Sequence, residues 1–518
     1  MCLGPTRSVM VALVACGMNT LISAQVPTFR FTQPHGDFGV GLKVVEQYDE
    51  SRTFRPAIDS NGAAFTGERG RPLQTLVWYP ATPTNGETLS YADYVGLWDT
   101  ETSFGSPQHV AEDRRIKPFL STNLPSKMWA IRNASPIAGR FPVVIYSPGA
   151  SHPAWDNADL CEYLASHGYV VIAVSSIGRT TRRVSVDVAG AITAARDITF
   201  LIGFAKSLPD TDASAVAVAG HSWGGLAGLF AAANDDRVRA LISLDGSLRY
   251  LSGVVEEGHV HPTRIRIPLL EFEQRNFSIE DFAKYMSPTD RTAPNPLNQW
   301  THGDLTLIHM LGLVHENFNS LSQRQANTWT RLGAGEPLYG ADYGPDDAAL
   351  GYGWVARYTL AFVDLHLKGR TDALAFLKSL PAANGVPAHV MAVSYRPAES
   401  KLLSFDTFRE DVSREGYSKA QDVLAIYRAR DAKFDVPEPD LQDWSETLIE
   451  DKRFVDAVAV SRVDTALHPE SSDAFLKLGD AVLLAGNPEA AKVAYQTAIK
   501  LDPENDDAKE KLDSLNRR

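Results

Sequence analysis

Seven short runs of aliphatic and β-branched residues punctuate the first two thirds of this chain, and helical patterns lie between them. The runs fall at 73–79, 141–146, 169–174, 215–219, 238–244, 267–270 and 305–310. Most are continuous rather than alternating, which is the pattern of strands covered on both faces, as in a parallel sheet. Parallel neighbours need long crossovers, and the stretches 194–208 and 224–233 have the helical period to supply them. The expected fold is therefore a doubly wound, mostly parallel α/β sheet. A longer amphipathic stretch, 358–380, broken at Gly369, follows the last run.

The fourth run leads directly into Gly220-His221-Ser222-Trp223-Gly224, a G-x-S-x-G motif, and a helix of small residues, 226–233, leaves it. The motif alone is common by chance. Between a strand and a helix it specifies a sharp turn that holds Ser222 in strained backbone at the carboxyl end of the sheet. A serine hydroxyl needs a base to become a nucleophile, and the base needs an acid to orient it. On such folds they follow in the order serine, acid, histidine. Asp245 ends the next run, in Ser243-Leu244-Asp245-Gly246, where ligands meet such sheets, and Glu271 and Glu273 after the following run are its rivals. Five of the 13 histidines lie between Asp245 and residue 320. His259 and His261 sit in a polar loop without nearby metal-ligand partners, His302 precedes the final run, and His309 lies within it. His315 follows that run in Gly312-Leu313-Val314-His315-Glu316-Asn317-Phe318, placed to bring an imidazole over Ser222. Backbone amides would form the oxyanion hole: that of Trp223, and that of Ala150 in the turn Gly149-Ala150. The rings of Trp223 and Trp155 are candidates for an apolar acyl pocket or for core packing.

At 518 residues the chain should hold two to three units. Its 50 Lys and Arg against 63 Asp and Glu leave a charge of −13, most of it beyond residue 403. That balance excludes nucleic acid as a partner and any polybasic grip on a membrane. Beyond Cys2 and Cys16 the sole thiol is Cys161, which rules out a disulfide framework or a cysteine zinc site within the body of the chain. Leu160-Cys161-Glu162-Tyr163-Leu164 reads as the buried side of a helix. Residues 1–24 read as an export signal, with Arg7 ahead of a short apolar run at 9–15. Cleavage after Ala24 competes with Leu13-Val14-Ala15-Cys16, a lipobox pattern that would leave Cys16 lipid-anchored. The protein is thus expected to be periplasmic or secreted.

Four blocks resemble the platelet-activating-factor acetylhydrolase group of α/β-hydrolases, close to the dienelactone hydrolase-like enzymes. They are Gly70-Arg71-Pro72 with Leu76-Val77-Trp78-Tyr79-Pro80-Ala81; 141–150 with 164–171; Gly220 to Gly225; and Leu244-Asp245 with Val314-His315-x-Asn317-Phe318. The family commonly has His–Gly in its oxyanion loop, where this chain has Pro148-Gly149. The resemblance spans about 40–380 and implies Ser222 as nucleophile, Asp245 as acid and His315 as base. It also implies hydrolysis of short or oxidised acyl esters, with a small ester or lipid as substrate and no metal or organic cofactor. A peptidase or amidase would use the same triad, and a scaffold protein on a hydrolase fold is the reading from another class.

The C-terminal region is of a different kind. Residues 472–505 fit a tetratricopeptide repeat of 34 residues, with Phe475, Leu478, Gly479, Val482, Ala491, Tyr495, Ala498 and Pro503 at its signature positions. The preceding 34 residues keep Ala457 and Pro469 but little else. The expected organisation is a catalytic domain at 25–385, a linker at 386–402 and an all-α, tetratricopeptide-like domain at 403–518. One clear repeat cannot bury its own face, so these helices must stack on one another, dock within the chain or hold a protein partner.

Overall fold

The computed structural model describes residues 29–58, 61–104, 123–275, 288–329, 343–399 and 403–517. The export signal, with Cys16, lies outside them. The chain divides into two compact units, Met1–Glu399 and Ser400–Arg518.

Ten strands form one sheet among the described residues of the first unit: β1 (Gly39–Thr53), β2 (Gly70–Ala81), β3 (Ala130–Arg132), β4 (Phe141–Ser147), β5 (Val170–Ala173), β6 (Thr211–His221), β7 (Val238–Leu244), β8 (Leu269–Glu273), β9 (Leu305–Met310) and β10 (Met391–Arg396). Their order across the sheet is β10-β9-β8-β7-β6-β4-β5-β2-β1-β3. From β5 to β9 every pairing is parallel, and β2 and β10 run antiparallel to their neighbours. Each parallel strand divides its side chains between two cores. Val144 and Tyr146 join Ala217, Ala219 and Ile242 on one face, with the helices Ala158–Ser166 and Pro345–Lys368. Val143 and Ile145 join Val216, Val218 and Leu241 on the other, with Val188–Ala205 and Trp223–Ala232. Both faces are covered, so the runs are apolar throughout.

The helix patterns hold with shifted bounds. The one expected at 194–208 begins earlier, at Val188, because Asp187 accepts from the Gly190 amide at 2.8 Å and caps it. The 358–380 stretch is the end of Pro345–Lys368 followed by Thr371–Lys378, with Gly369 between them in the left-handed region at φ 67°. Cys161 is buried in the helix Ala158–Ser166.

Two expectations need correction. Residues 386–402 are not a linker, because β10 lies within them and pairs along the whole of β9. Its sequence, Met391-Ala392-Val393-Ser394-Tyr395-Arg396, alternates as an edge strand does, and its short apolar content hid it. The catalytic unit therefore extends to Glu399 rather than 385.

The second unit is helical. It opens with two helices, Phe405–Glu415 and Ala420–Arg430. Two antiparallel pairs follow, Glu438–Glu450 with Phe454–Leu467 and Ser472–Leu484 with Pro488–Leu501, and then Asp506–Asn516. The residues capping the first helix of each pair and the last helix, Pro437, Ser471 and Asn505, fall 34 residues apart. A Cβ on Gly479 would fall 2.4 Å from the Tyr495 ring, so the second pair closes by direct contact at that glycine.

Val386, Val390 and Met391 are buried in the core of the first unit, at about 2 kcal/mol each. A chain ended after Glu399 should therefore stay folded and monodisperse. One ended after Asn384 loses those contacts and bares the β9 edge, and should aggregate or melt many degrees lower. Size-exclusion chromatography and thermal melts separate the two outcomes.

Candidate active site

Ser222 stands between β6 and the helix Trp223–Ala232 with φ 53° and ψ −117°. A non-glycine residue held there costs about 1–3 kcal/mol and persists only where its surroundings over-determine it. Here its amide donates to the Leu244 carbonyl at 3.2 Å, and its own carbonyl accepts from Gly225 at 3.1 Å and Ser247 at 2.9 Å. The flanking glycines let the elements close. A Cβ on Gly220 would lie 2.2 Å from the Gly224 carbonyl carbon, and one on Gly224 would lie 1.9 Å from the Ser147 carbonyl oxygen. The helix consequently starts directly against the end of β4.

Ser222, Asp245 and His315 come together as a hydrogen-bonded chain. Ser222 Oγ lies 2.7 Å from His315 Nε2, and His315 Nδ1 lies 2.6 Å from Asp245 Oδ2. Asp245 is fully buried, whereas the His315 side chain keeps 30 % of its surface open. The acidic partner fixes the tautomer: Nδ1–H donates to the carboxylate, which leaves Nε2 to accept the serine proton. Burial opposes the charge on both partners. The hydrogen bond and charge between them prevail, so His315 is raised above its ordinary value and Asp245 held below its own. Arg249 and the Gln274 amide also lower Asp245.

The rival carboxylates point elsewhere. Glu273 pairs with Arg249 at 3.1 Å and His309 at 2.8 Å. Glu271 is buried on β8, and burial pushes its pKa well above the ordinary carboxylate range.

Four residues that the sequence reading missed hold the chain in place. Gln274, just past β8, donates its amide to Asp245 Oδ1 at 3.0 Å and accepts the His315 amide on Oε1 at 3.1 Å. Tyr250 donates its hydroxyl to the same Asp245 oxygen at 3.0 Å, and Arg249 donates to that hydroxyl at 2.7 Å. No motif could have revealed Gln274; its only signal is its place at a strand's carboxyl end beside the glutamates. His221, inside the motif, is buried with Nε2 3.0 Å from the His315 carbonyl. Burial, and then the nearby His315, depress its pKa to about 3, so it is neutral.

Of the expected oxyanion donors, the Trp223 amide opens a helix, where no intrahelical acceptor exists. The turn holding Ala150 follows β4 and abuts the elbow: a Cβ on Gly149 would lie 3.2 Å from His221 Nδ1. Trp155 is corrected. Its ring packs edge-on against Tyr91 and Trp98 at 5.7 and 5.6 Å, inside the core rather than in a pocket. The Asp156 amide donates to the Pro153 carbonyl at 3.1 Å, a turn that holds Trp155 within this core. Trp223 is likewise buried, in the opposite core.

Residues 100–262 match the family model described as chlorophyllase, a stretch that holds Ser222 and Asp245 and stops short of His315. The chain is a carboxylic ester hydrolase of the α/β-hydrolase type. Among solved structures this hydrolase is similar to a ferulic acid esterase from Streptomyces cinnamoneus, at 22% identity and a TM-score of 0.48, covering 70% of this chain and 98% of that one. No curated protein matches the hydrolase.

The ring protons of His315 should report its partner. In the intact protein the imidazole should titrate above its ordinary value. In Asp245→Asn the raising interaction is gone while burial remains, so the titration should move to lower pH. An unshifted midpoint by NMR would detach Asp245 from His315.

Proposed function

We propose that the protein hydrolyses carboxylic esters through an acyl-enzyme on Ser222. The single observation that carries this reading is the 2.7 and 2.6 Å chain from Ser222 through His315 to Asp245, built on a strained elbow. Ser222 Oγ attacks the ester carbonyl as its proton passes to His315 Nε2, and Asp245 stabilises the imidazolium that forms. The Trp223 and Ala150 amides receive the oxyanion. Collapse expels the alcohol, which takes the proton from His315. Water then enters, gives a proton to Nε2 and attacks the acyl carbonyl, and the acid leaves with Ser222 regenerated.

Short or oxidised acyl esters are the proposed substrate class, supported by the resemblance of four sequence blocks. The 34-residue spacing of the helix caps in the second unit supports a tetratricopeptide-like array, which we assign to protein docking rather than chemistry.

A fluorophosphonate should label the intact protein at Ser222 and leave Ser222→Ala unlabelled, with ester turnover lost by several orders of magnitude. Asp245→Asn should lose about 10⁴-fold in kcat. Gln274→Ala, which frees the histidine backbone, should lose up to ~10²-fold. Glu273→Gln should cost far less than either. A p-nitrophenyl ester series from acetyl upward, run beside aminoacyl anilides, reads the acyl preference. Faster anilide cleavage would replace the esterase reading with an amidase.

A further inference from the structure

Behind the elbow stands a second cluster of ligand-bearing side chains. His152 and Asp156 come from the loop after β4 and His221 from the motif itself, with one ligating atom of each within 4.8 Å of the others. Asp156 is fully buried. Its Oδ1 accepts the Tyr146 hydroxyl at 2.8 Å, and its Oδ2 faces the Gly149 amide at 3.4 Å and His152 Nδ1 at 3.0 Å. Among the described residues no lysine or arginine is paired with it; its ion-pair partner is His152, whose side chain is 36% exposed. A buried carboxylate without a fixed cation is costly.

His221 offers what such a site lacks. Its Nε2 faces the His315 carbonyl, which can only accept, so that nitrogen carries the proton and Nδ1 bears the lone pair. The hydrogen bond that Nδ1 receives, from Asn319 Nδ2, is long at 3.4 Å. A Cβ on Gly149 would lie 3.2 Å from the Nδ1 of both His152 and His221, so glycine there keeps the space between the two rings open.

We propose that His152 Nδ1, Asp156 Oδ2 and His221 Nδ1 bind one divalent transition-metal ion of the Zn²⁺ class, with water in the fourth position. Two imidazoles and a carboxylate form a borderline nitrogen–oxygen set, and bonds of about 2.0–2.2 Å need only small rotations of side chains already this close. His152 binds with its proton on Nε2, or releases a proton to solvent if it enters charged. The ion neutralises Asp156 and ties the loop bearing Gly149 and Ala150 to the elbow. Through the Nε2–H of His221 it also steadies the backbone of His315. It has no step in ester cleavage.

The full chain, stripped with EDTA, is titrated with Zn²⁺ by calorimetry, and its thermal midpoint is followed with and without the metal. Expected are saturable 1:1 binding and a midpoint raised by several degrees. Co²⁺ in place of Zn²⁺ should show the intense visible bands of a four-coordinate site. His152→Ala, a part-exposed position that should fold normally, ought to weaken binding by roughly tenfold or more and remove the thermal shift. Asp156→Asn should do the same, while His259→Ala and His261→Ala leave both readouts unchanged. Absence of binding to the intact chain, or binding undiminished in His152→Ala, overturns the proposal.

Discussion

The contact on which the first unit depends is the approach of the helix Trp223–Ala232 to the end of β4. Gly224 sits where any side chain would occupy the Ser147 carbonyl oxygen, so the helix can begin immediately over the strand ends. That approach forces Ser222 into its strained conformation. The cost of about 1–3 kcal/mol is small beside what holds the helix down. Leu226, Leu229 and Phe230 of that helix are all buried, at about 2 kcal/mol each. Packing along the helix thus sustains strain at the residue that caps it, and the strain is what exposes the hydroxyl.

Charge placement shows the same economy of position. Asp245 and Glu271 end up equally buried near one another, yet their pKa values shift in opposite directions. Burial alone pushes any carboxyl toward neutrality. Asp245 overcomes it because the Gln274 amide, the Tyr250 hydroxyl and His315 all donate to it, with Arg249 nearby. Glu271, one strand over, lacks such a set of donors, and burial prevails in raising its pKa. Which carboxylate can orient a histidine is therefore decided by donors, not by depth.

This explains what the sequence could and could not disclose. The strands buried on both faces announce themselves as apolar runs, and the elbow is a local pattern of small residues around Ser222. Strands with one open face do not: β1 mixes exposed and buried residues along its length, and β10 alternates at the sheet edge. The helical unit gives a sharper case. Gly486 turns between the second pair of helices at φ 86°, and Lys452 makes the corresponding turn in the first pair at φ 61°. Where the second pair closes with Gly479 against Tyr495, the first closes with a 2.9 Å hydrogen bond between buried Ser445 and Ser461. The geometry repeats while its chemical solution changes, so only one repeat reads clearly from residues alone.

His315 carries the argument furthest. It lies after a strand, in a short 3₁₀ turn, His315–Phe318, with little regular backbone hydrogen bonding to fix it. Long-range side chains take that role. Its amide is held by Gln274 Oε1 and its carbonyl by His221 Nε2, while the preceding Val314 amide is held by Asn317 Oδ1 at 3.0 Å. Two of these anchors come from the end of β8 and from the elbow, far away in sequence. A loop histidine is positioned to hydrogen-bond accuracy because its backbone is gripped on both sides by groups that are themselves buried. Sequence spacing can nominate such a histidine, but only the three-dimensional arrangement shows why it stays over Ser222, and that grip passes through the same His221 whose other nitrogen faces Asp156 and His152.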